Sequence, residues 1–233
     1  MPVDLIIFDC DGVLVDSEII SCRVHAEALT RQGYSITAEQ VGERFLGRSA
    51  LDAHAEVERE LGRALPDDFE ELRKLAILDA LAVSLEPIPH IHAALDAIAT
   101  PVCVASSGFP GKIAQSLTST RLHARFAPHI FSASQVARGK PAPDLFLFAA
   151  DKMQVAPERC LVIEDSLPGI SGALAAGMIV LGFHGGSHCR PGYGDNLRSA
   201  GAAMTFDDMR QLPGLIARIG SDSVTSQGVM NLG

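Results

Sequence analysis

The run LIIF at 5–8 most constrains what this chain can fold into: it is apolar without alternation, and it ends in Asp9-Cys10-Asp11-Gly12. A strand with no polar alternation is covered on both faces, as in a parallel sheet. Runs of the same kind follow at 102–105 (VCVA), 161–164 (LVIE) and 179–182 (IVLG), with a weaker one, HIFSA, at 129–133. Helix-like segments separate them. Strands alternating with helices predict an α/β fold built on a parallel sheet.

Between the first run and the second, no comparable β segment occurs. The pattern there is helical and charge-rich. At 67–84, DDFEELRKLAILDALAVS sets Phe69, Leu72 and Ala76 at i, i+3 and i+7, behind acidic residues of the kind helix N-termini favour. EPIPH at 86–90 then punctuates the chain. These features predict a helical insertion over 17–85, a sheet domain made of 1–16 and 86–220, and a mobile polar tail over 221–233.

A net charge of −9 disfavours nucleic-acid binding by bulk attraction, and leaves room for a small anion at a local positive site. The five cysteines (Cys10, Cys22, Cys103, Cys160 and Cys189) are scattered and form no C-x-x-C pair, which argues against a disulfide framework and a zinc site. No run approaches the length of a membrane span, and no basic-then-apolar leader precedes the first strand. The expectation is a soluble cytoplasmic protein with no membrane partner. Oligomeric state is not legible.

In a parallel α/β sheet, ligands sit beyond the C-terminal ends of the strands. There the sequence places Asp9 and Asp11, then Ser106, Ser107 and Gly108, then Glu164 and Asp165. Lys140 precedes a helical segment in GKPAPD. Carboxylates gathered this closely need a cancelling cation, and hard oxygen ligands suit Mg²⁺. Lys140, the Ser106 hydroxyl and the N–H groups near Gly108 suit phosphate oxygens. One of the two aspartates is placed to attack phosphorus, and the other to act as acid and then base.

Taken together, the stretches FDCDGVLVDSE, ASSG, GKPAPD and EDS resemble, in order, the four motifs of the haloacid dehalogenase-like superfamily. The resemblance implies a Rossmann-like core, with Asp9 as nucleophile and Asp11 as general acid/base. It also implies phosphate binding by Ser106 and Lys140, and an Mg²⁺ site made by Asp9, the Asp11 carbonyl and Asp165, with Glu164 nearby. The insertion resembles the helical cap of the subgroup that contains phosphoglycolate phosphatase and β-phosphoglucomutase. Within it, the first motif followed by I-x-S-C-R looks most like the bacterial 6-phosphogluconate phosphatase type.

A metal-independent dehalogenase lacks the second aspartate, and Asp11 is present. A β-phosphoglucomutase carries a His and an Arg where Ser21 and Ala50 stand here, which favours a hydrolase over a mutase. A non-catalytic phosphate-binding module on the same fold is the alternative of a different class. An oxidoreductase is disfavoured because no strand is followed by G-x-G-x-x-G. Arg48, in FLGRSA, is a candidate substrate contact. Ser17 reads as a helix cap, Glu18 as a cap or hinge residue, and Cys10 as a packing residue. The 184–188 segment, HGGSH, reads as a flexible surface loop more than as part of the crevice.

Overall fold

The computed structural model describes residues 3–45 and 50–225. Six strands form one parallel sheet: β1 (Leu5–Phe8), β2 (Val102–Ser106), β3 (Ile130–Ser132), β4 (Cys160–Glu164), β5 (Ile179–Phe183) and β6 (Met204–Phe206). Their spatial order is β3-β2-β1-β4-β5-β6, a Rossmann-like arrangement. The order reverses direction at β1, which is where such sheets open a crevice. The sixth strand escapes sequence reading because MTF is only three residues long and has no run of its own.

Alternate residues of each strand serve opposite layers, as a period of two requires. Ile6, Phe8, Val104, Leu161 and Ile163 join one buried cluster. Leu5, Ile7, Cys103, Ala105 and Val162 join the other. Helices cover both faces, so neither side needed polar alternation.

Four helices fill the segment between β1 and β2 before a fifth leads back to the sheet. They are α1 (Glu18–Arg31), α2 (Ala38–Phe45), α3 (Ala50–Leu61), α4 (Phe69–Ser84) and α5 (Ile91–Asp96). Six more follow: α6 (Pro110–Ser119), α7 (His123–Phe126), α8 (Asp144–Lys152), α9 (Leu167–Ala175), α10 (Tyr193–Ser199) and α11 (Leu212–Thr225). A third apolar cluster, including Leu29, Val41, Phe45, Val57 and Phe69, belongs to the α1–α4 segment alone. The expected tail begins inside α11, whose helix runs to Thr225; residues 226–233 lie outside the described residues.

The stripe expected on α4 is corrected. Its buried residues are Phe69, Ile77 and Leu81, while Leu72 is 57% exposed. The reason is that α4 serves two neighbours. Phe69 joins the small helical cluster, whereas Ile77 and Leu81 reach the main core beneath the sheet. Ser17 is also not a side-chain cap of α1: its hydroxyl donates instead to Asp11 Oδ1.

Leu29 is fully buried in the small helical cluster. Leu29→Ala is expected to cost about 2–5 kcal/mol of unfolding free energy by urea titration. A change below about 0.5 kcal/mol, the size usual at surfaces, would show that this cluster is not packed as described.

Candidate active site

The register of the sheet brings the acidic residues to one edge. Phe8 pairs with Ile163, and the Asp9 N–H donates to the Ile163 carbonyl at 3.0 Å, so Asp9 lies level with the end of β4. Asp9, Glu164 and Asp165 then present carboxylate oxygens within 4.8 Å of one another, all buried.

Two lysines balance this charge. Lys140 Nζ lies 2.6 Å from both Asp9 Oδ1 and Glu164 Oε1, and its side chain is only 4% exposed. Lys112, in the first turn of α6, reaches Asp11 Oδ1 at 2.8 Å. The two aspartates of the first motif therefore line one cavity but answer to different cations. Lys112 was not among the sequence candidates. The available signal was its place one helical turn beyond Ser107-Gly108, at the end of β2.

The electrostatics follow from burial. Desolvation raises Asp9 well above the usual carboxylate range; Lys140 opposes this, and the carboxylates of Glu164, Asp165 and Asp11 add to it. Burial also pushes Asp165 up to about 6, with Glu164 beside it and His188 counteracting. Asp11 moves the other way. Burial would raise it, but the Lys112 ammonium and the hydrogen bonds from Lys112 and Ser17 carry it below its ordinary value. Burial likewise lifts Glu18, at the start of α1 on the cavity wall, to about 7.

Glu164 has both oxygens occupied. Oε1 takes Lys140, while Oε2 accepts from the Ser166 N–H at 2.8 Å and the Ser166 hydroxyl at 2.9 Å. Gly169 in α9 packs so closely on this carboxylate that a Cβ there would overlap it. Gly12, with φ of +75°, likewise lets the turn after β1 close over the Asp165 carboxylate.

Ser106 is buried, and its Oγ accepts from the Gly108 N–H at 3.0 Å, which keeps its own proton free to donate. Ser107 and Gly108 line the cavity beside Lys112. Cys10 packs in the core, as its position in the alternation requires. Arg48 lies outside the described residues.

The 184–188 segment is a loop, as expected, with Ser187 exposed, but its last residue, His188, is corrected from surface to cavity wall. His188 Nε2 sits 3.0 Å from Asp165 Oδ2, and its side chain is 7% exposed. Burial opposes a charge on this imidazole, but the bond to Asp165 overrides it and raises its pKa. The segment is anchored rather than loose. Ser187 donates to Asp16 Oδ1 from both its N–H and its hydroxyl, and Arg190 reaches Glu39 and Glu43 on α2. Gly185 and Gly186 allow the close backbone approach, which is why this glycine-rich stretch reads as flexible in sequence and packs tightly in space.

The cavity has a volume of about 500 Å³. Its floor is the sheet edge, and its opposite wall comes from α1 and α4. Such an arrangement of buried carboxylates and ammonium groups suits transfer of a charged oxyanionic group.

Comparison with known proteins identifies the class this arrangement serves. A family model for haloacid dehalogenase-like hydrolases matches residues 3–177, and the chain belongs to that family. It is 31% identical over 214 residues to the 6-phosphogluconate phosphatase of Escherichia coli strain K12, covering 91% of this chain and 94% of that protein. A haloacid dehalogenase-like protein of unknown function from Agrobacterium tumefaciens str. C58 superposes with a TM-score of 0.82 at 42% identity, covering 93% of this chain and 98% of that one. A haloacid dehalogenase family hydrolase from Deinococcus radiodurans R1, solved with bound phosphate and sodium, gives 0.76 at 30% identity, with coverage of 94% and 97%. The chain is a phosphoric monoester hydrolase.

Gly169→Ala should displace the Glu164 carboxylate and with it the anchor of Lys140. The expected result is a loss of kcat/KM on the order of a hundredfold, since removing one aimed electrostatic partner costs about that much. Steady-state phosphate release checks it, and wild-type kinetics in a folded variant would exclude the packing argument.

Proposed function

We propose that the protein is an Mg²⁺-dependent phosphatase of a small sugar or sugar-acid phosphate, acting through an aspartyl-phosphate. The observation that carries this reading is the buried Asp9–Glu164–Asp165 cluster with Lys140 against Asp9. The relatives support the substrate class: besides the 6-phosphogluconate phosphatase, the chain is 31% identical over 182 residues to hexitol phosphatase A of E. coli strain K12.

The donor set fits a hard divalent cation. Its atoms are all oxygens, they are buried, and without a cation burial drives two of them toward protonation. Asp9 and Asp165 would hold the ion, joined by the Asp11 carbonyl, while Glu164 serves Lys140 and Ser166. A bound Mg²⁺ would neutralise charge on the phosphate oxygens and keep Asp9 ionised.

The residues divide the remaining work. A carboxylate oxygen of Asp9 attacks phosphorus, and the ester oxygen departs. Lys140 neutralises developing charge on the phosphoryl oxygens, with the Ser106 hydroxyl and the Ser107 N–H as hydrogen-bond donors, joined by the Gly108 N–H if substrate draws it from Ser106 Oγ. Asp11 protonates the departing oxygen and then takes a proton from the water that attacks the aspartyl-phosphate. Lys112 holds Asp11 ionised in the free enzyme, which suits its second role; for its first role Asp11 takes the proton that a monoanionic phosphate ester carries in and passes it to the departing oxygen. Helices α1–α4, over 17–85, act as a cap that excludes bulk water from both steps. Ser21, a hydroxyl facing the cavity, adds no imidazole of the kind expected in a mutase.

Asp9→Asn should abolish phosphate release from a panel of sugar, sugar-acid and polyol monophosphates; turnover at the wild-type rate would remove Asp9 as nucleophile. The metal is tested separately. Because Asp165 must lose a proton to bind a cation, Mg²⁺ should raise Tm at pH 7.5, and the gain should shrink as pH falls through about 6. The metal-free fold should move in the opposite sense. Its raised carboxyl binds the proton better than the unfolded chain does, so it gains stability as pH falls through that value. A Tm gain with Mg²⁺ that is equal at pH 7.5 and pH 5 would count against this carboxylate as a ligand.

A further inference from the structure

The wall facing the catalytic carboxylates carries a polar cluster that the phosphoryl chemistry does not use. Three helices build it: His25 comes from α1, His54 from α3, and Glu70 and Arg73 from α4. Arg73 donates from Nε and Nη2 to the two oxygens of Glu70, each at 2.8 Å. That grip fixes the guanidinium plane and leaves Nη1 without a partner among the described residues. Arg73 lines the same cavity as Asp9 and Lys140, and its side chain is only 14% exposed.

A second observation is independent of this pair. His25 also lines the cavity, is 8% exposed, and its Nε2 is buried with no hydrogen-bond partner. A buried polar atom left unpaired costs free energy unless a ligand or water satisfies it. His54 packs edge-on against His25, with ring centroids 5.6 Å apart, and lies 3.8 Å from Glu70. The cavity wall thus offers one oriented guanidinium edge and the unsatisfied His25 imidazole, both opposite the site of phosphoryl transfer; His54 Nε2, off the cavity, is likewise buried without a hydrogen-bond partner.

We infer that Arg73, oriented by Glu70, forms with His25 a subsite for a carboxylate at the end of the substrate remote from its phosphate. This inference rests on the phosphatase reading above and names the substrate class as a phosphorylated sugar acid. The charge of the wall favours a carboxylate over a second phosphate. Burial, with Arg73 nearby, lowers His25 to about 4, and His54 is lowered by its own burial, so both are uncharged at neutral pH. Glu70 offsets one of the two cations, Arg73 and Lys74, the latter 3.5 Å from it. Among the described residues of α4 that line the cavity, one positive charge remains for an anion, while Glu18 at the start of α1 stands on the same cavity wall and disfavours a second negative charge there. Arg73 contributes binding and selectivity, since it faces the end of the molecule away from the reacting phosphorus.

The test compares two substrates that differ only in this group: a hexonic acid 6-phosphate and the matching hexitol 6-phosphate, with Mg²⁺ and the full chain. Wild type should favour the acid. Arg73→Gln should lower the acid-to-hexitol ratio of kcat/KM on the order of ten- to a hundred-fold, chiefly through KM, as loss of a charged hydrogen bond implies. His25→Leu removes the unpaired nitrogen without touching the Glu70–Arg73 pair, and should lower the same ratio by a smaller factor. A ratio unmoved in both variants, with their thermal unfolding intact, would overturn the subsite. A hexitol 1,6-bisphosphate that outperforms the acid and loses as much in Arg73→Gln would replace the carboxylate with a second phosphate. If wild type releases phosphate from none of them, the phosphatase reading fails. Calorimetric titration of the acid phosphate then still decides the subsite: weaker binding to Arg73→Gln supports it, and equal binding refutes it.

Discussion

Everything at this site depends on keeping several carboxylates out of water within a few ångströms of one another. Asp9, Asp11, Glu164 and Asp165 converge where β1 and β4 end, and burial works against their charge. Buried acids survive only when cations and hydrogen bonds balance them. Lys140 serves Asp9 and Glu164 together, while Lys112 serves Asp11. The surrounding architecture delivers these two ammonium groups, one from the loop before α8 and the other from the first turn of α6.

The pairing gives neighbouring aspartates different characters. Asp9 is pushed toward its proton by burial, with Lys140 opposing. Asp11 is held as a carboxylate by Lys112 and Ser17. Two residues two positions apart in the chain are thereby driven in opposite directions, one toward its proton and one away from it. The glycines support this arrangement by their lack of a side chain: Gly12 and Gly169 let the backbone press against Asp165 and Glu164.

The small helical segment completes the cavity from the opposite side. It has its own apolar cluster, yet its charged residues bridge to the sheet layer through Arg190 with Glu39 and Glu43, and its Lys74 ammonium lies over the Phe109 ring. Exposed pairs of this type are each worth little. The segment is also joined to the sheet layer by packing, since Ile20 and Val24 of α1 and Ile77 and Leu81 of α4 enter the main core.

The sequence by itself determined the sheet, because LIIF, VCVA, LVIE and IVLG are apolar on both faces and only a covered parallel sheet accepts that. It also determined the floor of the site, since strand ends in such a sheet share one edge; Asp9, Glu164 and Asp165 fall together for that reason, while Lys140 stood out through its GKPAPD setting before α8. Tertiary structure decided what depends on contacts between distant segments. Lys112 reads as an ordinary helix residue until α6 is seen to aim it at Asp11. His188 reads as part of a glycine-rich loop until Ser187 and Arg190 tie that loop down. Ser17 looks like a helix cap until Asp11 takes its hydroxyl. Arg73 sits in a charged helix whose apparent apolar face, through Leu72, points to solvent. Periodicity reports which residues share a face of one element, but it carries no information about which charge from another element that face will meet.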